Sequence, residues 1–140
     1  MTENGLKSIF RDTEEEYIQE FCEAFKEEIQ TPDGFTVFCK YLRKTAIHIC
    51  RGQDGKVFQP ARAQRILWAK YILMHPDERI VLTNTRTGNL LFFLTREHNP
   101  HLIVCNKLEE KWNIISSHLV GGKRAKAYLS GKPPYPYYKP

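Results

Sequence analysis

An α+β fold is what this sequence predicts: N-terminal helices packed on a four-stranded antiparallel meander sheet, closed by a short C-terminal helix. Three observations predict it. Apolar residues recur at helical spacing in segments before residue 76. Four short runs rich in β-branched and aromatic residues follow. The breaks between those runs are too short for crossover helices, so neighbouring strands pair antiparallel.

Taken in order, residues 1–12 carry no periodicity and are expected to be mobile or loosely docked. Thr13 with Glu16 three residues on is a capping-box start, and Tyr17, Phe21, Phe25 and Ile29 continue an apolar stripe in i+4 steps. Thr31-Pro32-Asp33-Gly34 ends that helix. Phe35, Phe38 and Leu42 fit a second helical face over residues 35–42, whereas Thr45 to Arg51 alternates like a short strand. A loop over 51–56 leads through Val57 and Phe58 to a helix from Pro60 to Pro76, with Ile66, Ala69, Ile72 and Leu73 on its buried face. Arg62 and Arg65 share another face of it. The four strands are Arg79 to Thr85, Leu90 to Arg96, His101 to Asn106 and Trp112 to His118. Gly88-Asn89 supplies the first hairpin's turn. Gly121-Gly122 then hinges a basic helix ending near Leu129, and the tail is Pro/Tyr-rich and extended.

Charge divides the chain. Residues 1–30 hold three basic and nine acidic residues, a balance of −6, and the other 110 hold 18 basic and seven acidic, a balance of +11, within the whole-chain +5. Three parts follow: an acidic helical extension (1–30), a basic body (31–130) and the tail (131–140). A basic body suits a polyanionic partner, nucleic acid being the commonest. No apolar run nears the ~20 residues of a membrane span, and the N-terminus lacks a signal-peptide layout. A cytoplasmic protein with no membrane partner is the expectation. Cys22, Cys39, Cys50 and Cys105 have no C-x-x-C spacing and read as small hydrophobes of a reducing compartment, with a disulfide as the alternative. A zinc site on Cys39, His48 and Cys50 would lack a fourth ligand, so no metal or cofactor is expected.

The order of parts resembles the BECR nucleases, the group uniting barnase, EndoU, colicin-type and RelE-like ribonucleases, and its small phage-associated members above all. The residues that carry the resemblance are Phe58, then Arg62-Ala63-Gln64-Arg65-Ile66-Leu67-Trp68, then Pro76, then Ile114-Ile115-Ser116-Ser117-His118 closing the fourth strand. It covers Ala46 to Leu129 and makes 31–130 a BECR-like nuclease domain. Serines stand where threonine is usual, His118 where an aromatic is common, and the paired histidines of EndoU have no clear counterpart. The resemblance implies metal-independent RNA cleavage, in which a 2′-hydroxyl attacks its own phosphodiester and leaves a 2′,3′-cyclic phosphate. RNA is then the partner, the protein a toxin or phage-encoded effector, and an antitoxin or immunity protein a fitting inhibitor.

That reaction needs a base, an acid and positive charge on the phosphorane. Arg62 and Arg65 suit the last, because a guanidinium fork stays charged and holds two phosphate oxygens. The alternative for the pair is a solvated helix face with ordinary salt bridges. His48 and His118 are the candidates for proton transfer, since an unperturbed imidazole titrates near ~6.5; a satisfied structural histidine is the alternative for each. His75 reads as a helix C-terminal residue, and His98 and His101 as solvated around a hairpin loop. Ser116 and Ser117 alternate across the strand, so only one can face the site and bind phosphate. Arg51, Lys123, Arg124 and Lys126 are expected to meet the nucleic-acid backbone, the last three beside the Gly121-Gly122 hinge. Two other readings stay open: a non-catalytic nucleic-acid-binding domain, and a protein-interaction module built on the acidic helix and the Tyr/Pro tail.

Overall fold

Thr13 opens the first helix, α1 (Glu14–Ala24), through the expected capping box. Its Oγ1 accepts from the Glu16 amide at 3.2 Å, and Glu16 Oε1 accepts from the Thr13 amide at 2.9 Å. The computed structural model describes residues 6–84, 86–95, 99–130 and 137–138. The helix stops sooner than its apolar stripe: Phe25 is the C-cap, and Ile29 already belongs to a strand, β1 (Ile29–Gln30). Helix and strand bury their apolar residues in one core, so the i+4 spacing runs on across the break. Gly34, at φ +100°, turns β1 into β2 (Thr36–Phe38).

The next two expectations are reversed. Residues 35–42, expected to be helical, contain β2, while 45–51, expected to be a strand, lie in a helix, α2 (Leu42–Arg51). Thr45, Ala46, Ile49 and Cys50 are its buried residues, and their spacing of three and four is helical. The apparent alternation came from His48, a polar residue half-buried beside that face. Of residues 1–12, expected to be mobile or loosely docked, 1–5 lie outside the described residues, and the chain is docked from Leu6 onward with Phe10 left exposed. Leu6 is buried, the Ile9 amide donates to Gln64 O at 2.9 Å, and Trp68 Nε1 donates to Lys7 O at 3.2 Å.

The long helix expected from Pro60 to Pro76 divides into α3 (Pro60–Ala63) and α4 (Trp68–Met74). Between them the amides of Arg65, Ile66 and Trp68 donate to the carbonyls of Arg62, Ala63 and Arg65, each three residues back. Three residues per turn eclipses positions i and i+3, which sets Arg62 and Arg65 one above the other. After a 3₁₀ turn (Pro76–Glu78) come β3 (Arg79–Asn84), β4 (Leu90–Leu94), β5 (His101–Leu108), β6 (Lys111–Leu119) and a helix, α5 (Gly122–Ser130).

Strands β3 to β6 pair antiparallel in sequence order, as a meander. They are the centre of a larger sheet, which corrects the four-stranded expectation. Among the described residues the sheet is mixed and seven-stranded, in the order β1-β2-β6-β5-β4-β3-β7, with β2 parallel to β6 and a two-residue β7 (Tyr137–Tyr138) antiparallel to β3. Strands of two or three residues are too short to show a period. Both faces of the sheet are covered. Phe21 of α1, Ile49 of α2 and Ile66 and Ile72 around α4 meet Phe92 and Ile103 on one face. Ala125 and Tyr128 of α5 meet Leu91, Phe93 and Leu102 on the other. Every residue of β4 is therefore buried.

Acidic α1 docks on α2 by charge as well as by its apolar stripe. Glu14 takes a bidentate pair from Arg51 at 2.7 Å, and Glu15 one from Arg43 at 2.8 Å. The four cysteines are free, and burial pushes the Cys50 thiol up to about 12. Among the described residues no helix is long and apolar enough to cross a membrane.

Candidate active site

Strand β6 has two unlike halves. Its first half is covered by β2, which pairs only as far as Phe38 with Asn113. Beyond Asn113 no strand among the described residues continues on that side, and α2 lies beside the open edge. A bulge falls at this point: Cys105 pairs with Ile114 but Val104 pairs with Ser116, so Ile115 is the extra residue. A slip of one residue exchanges the two faces of a strand. Strict alternation from buried Ile114 would send Ser116 and His118 into the helical core. The bulge instead sets them on the side of Val104 and Leu102 and sends Ser117 inward with Ile103.

A cleft of about 380 Å³ opens there, lined by His48, Gln53, Arg62, Ser116, His118 and Arg124 among others. Six elements supply it: the last turn of α2, the loop after it, α3, Val104 of β5, the end of β6 and the first turn of α5. A smaller hollow adjoins it, bordered by Arg62, Arg65, His101, Ser117 and His118. His48, Arg62, Arg65, Ser116, Ser117 and His118 thus all border one pair of neighbouring hollows.

Arg62 is anchored by its Nε, which donates to Ile49 O at 2.8 Å. Gly52 makes room for it. This residue caps α2 at φ +81°, and a Cβ there would sit 3.2 Å from Gln59 Nε2 and 3.5 Å from Arg62 Cζ. Arg65 is half-buried, with its Cζ 5.8 Å from the Trp68 ring centre. Arg11, Arg43, Arg51 and Arg79 are ion-paired to carboxylates. Arg62 and Arg65 have no carboxylate partner among the described residues. Burial and the neighbouring Arg62 both lower the pKa of Arg65.

Burial first, and the neighbouring cations second, act on the histidines. Burial, then Arg62, His48 and Arg124, bring His118 down to about 4. Burial and Arg62 also lower His48. Both rings are thus mainly neutral at pH 7. A bound phosphate would screen the arginines and raise both, since an opposite charge favours the protonated form. Ser116 Oγ lies 2.9 Å from His118 Nδ1, which orients the ring and leaves Nε2 free of any partner among the described residues.

The expectation for His101 is corrected. It is not solvated but buried, with Nε2 2.7 Å from Ser117 Oγ and the Trp68 ring 5.4 Å away, centre to centre. Its Nδ1 is buried without a hydrogen-bond partner among the described residues. Burial first, then His118, Arg65 and Arg62, lowers it to about 3. It opens β5, and the L-I-V-C that follows was the signal that the strand, and not the loop, claims it. Gln53 was also missed, as a loop residue with no local pattern to mark it. His75 stacks on Tyr71 at the C-cap of α4, and His98 lies outside the described residues.

Of the cations expected to meet nucleic acid, Arg124 borders the cleft. Lys123 and Lys126 are exposed on α5 outside its lining, and Arg51 is ion-paired with Glu14. No group of three or more His, Cys, Asp or Glu among the described residues is placed to hold a metal ion. Chemically, the hollow offers two imidazoles, a fork of guanidinium charge and a hydroxyl. That set can bind a phosphate and move protons on either side of it. In comparisons with known proteins, no family model, no curated protein and no solved structure matches this chain.

Proposed function

We propose that the chain is a metal-independent endoribonuclease that cleaves RNA through 2′-hydroxyl attack, leaving a 2′,3′-cyclic phosphate. One observation carries this reading: two imidazoles share a cleft with Arg62, whose neighbour is Arg65, and none of the four has a carboxylate partner among the described residues. One of His48 and His118, neutral, takes the 2′-hydroxyl proton. The other, protonated once phosphate is bound, gives a proton to the leaving 5′-oxygen. Arg62 and Arg65 hold the non-bridging oxygens of the phosphorane, and Ser116 orients His118. The resemblance of Phe58, Arg62, Arg65, Trp68 and Pro76 to the BECR pattern in the sequence supports the same chemistry. An enzyme of this kind would act as a toxin or phage-encoded effector, with an antitoxin or immunity protein as its inhibitor.

A second reading, a non-catalytic nucleic-acid-binding domain, is favoured by the burial of His118 beside Arg62 and Arg124, which holds its ring mainly neutral and disfavours the acid form. Incubating the protein with total RNA in EDTA and sequencing the ends separates the two. New ends bearing 2′,3′-cyclic phosphate support cleavage. Salt-sensitive binding of intact RNA supports the second reading. Activity lost in EDTA and restored by magnesium overturns the first.

A further inference from the structure

Tyr41 stands at the N-cap of α2, a position that normally favours Ser, Thr, Asp or Asn because their side chains bond the first free amides. Tyr41 makes no such bond and leaves 55% of its surface exposed. Packing and capping therefore do not account for it. Two cations flank it: Lys40 Nζ is 5.5 Å and Lys44 Nζ 6.0 Å from its ring centre. Neither lysine has a carboxylate partner among the described residues, although acidic residues pair with arginines elsewhere on α2.

The position of this group connects it to the cleft. His48 lies seven residues on, two helical turns, so the two sit on one flank of α2 about 10 Å apart. Lys44 falls between them. The Lys40 amide donates to Asn113 Oδ1 at 2.8 Å, which pins this end of α2 where β2 stops covering β6. The open edge of β6 thus runs from Asn113 beside Lys40 to His118 in the cleft, with the bulged Ile115, 38% exposed, on the way.

We propose that Tyr41, with Lys40 and Lys44, is a base-stacking subsite for single-stranded RNA, one or two nucleotides from the bond cut in the cleft. This rests on the RNA-cleaving reading of that cleft. An aromatic face accepts any base, and the flanking ammonium groups would move from the ring to the phosphates on either side of the stacked nucleotide. A duplex keeps its bases stacked internally and offers nothing to the ring.

The test uses a single-stranded hexadeoxynucleotide, which lacks the attacking hydroxyl and is not cut. Tyr41→Ala should weaken its binding about 5- to 100-fold, and Tyr41→Phe and Tyr41→Trp should retain it. Binding of the same sequence as a duplex should not depend on Tyr41. In cleavage, Tyr41→Ala should raise KM for a hexaribonucleotide and leave kcat and dinucleotide turnover unchanged. Wild-type affinity of a folded Tyr41→Ala protein for the hexamer overturns the subsite, as does weak binding by Tyr41→Trp. If RNA is never cut but hexamer binding depends on Tyr41, the cleavage reading fails and the subsite stands. If RNA is cut and Tyr41 is irrelevant at every length, the reverse holds.

Discussion

Acid should loosen this fold well before its carboxylates titrate, and His101 sets the size of the effect. In the unfolded chain its imidazole takes up a proton near 6.5, whereas in the folded chain it does so only near about 3. Between those values the unfolded state binds more protons, so stability rises with pH. The contribution is complete above 6.5 and is lost as the pH falls towards 3. At pH 5 the unfolded chain has gained about 1.5 pK units of protonation free energy at this residue, or ~2 kcal/mol. His118, lowered to about 4, acts in the same direction. Its ring borders the open cleft, so solvent screening reduces its share to roughly 1 kcal/mol. The sum, about 3 kcal/mol, is a large part of the ~5–15 kcal/mol that holds a single domain together. Urea unfolding followed by tryptophan fluorescence at pH 7 and pH 5 should show the midpoint falling by on the order of 1–2 M. His101→Gln, which keeps a partner for Ser117 but cannot titrate in this range, should recover about 2 kcal/mol of that loss. A wild-type midpoint that moves less than about 0.3 M would refute the reasoning. So would a His101→Gln protein with the same pH dependence as the wild type.

Two further outcomes follow from the arginines. Arg65→Ala should slow RNA cleavage ~100-fold or more, the scale of losing an oxyanion donor, while its thermal midpoint barely moves; an active variant, or one that unfolds, would make the residue structural. Arg79→Ala should do the opposite. Its guanidinium binds both Asp33 oxygens and the carbonyls of Ile72 and Leu73, and its side chain is 1% exposed. Removing it takes the bidentate partner from Asp33, which keeps only its bonds to Thr31 and backbone, and the side-chain donor from the Leu73 carbonyl, for a loss of about 3 kcal/mol in urea unfolding. Cleavage far below the midpoint should be unchanged, and a loss under about 1 kcal/mol would show that water replaces the guanidinium.

The features legible in the sequence are those whose cause lies within a few residues. Thr13 and Glu16 form a capping box wherever the helix sits, and four β-rich runs with short breaks can only make a meander. Arg62 and Arg65 also belong here, because a spacing of three places them together in either an α-helix or the 3₁₀ turn they adopt. What lay beyond reach depends on partners far along the chain. Thr36-Val37-Phe38 is a strand only because β6 offers it an edge, and His101 is buried only because Trp68 and Ser117 close over it. Arg51, one basic residue among many in the sequence, is committed to Glu14 once α1 docks. The bulge at Ile115 is the clearest case. The order Ile114-Ile115-Ser116-Ser117-His118 shows that Ser116 and His118 share a face and that Ser117 takes the other. It does not say which face meets the cleft. That was decided by pairing with β5, where one unmatched residue turns Ser116 and His118 out to the arginines and Ser117 in to His101. Register is a relation between two strands, and neither strand's sequence contains it alone.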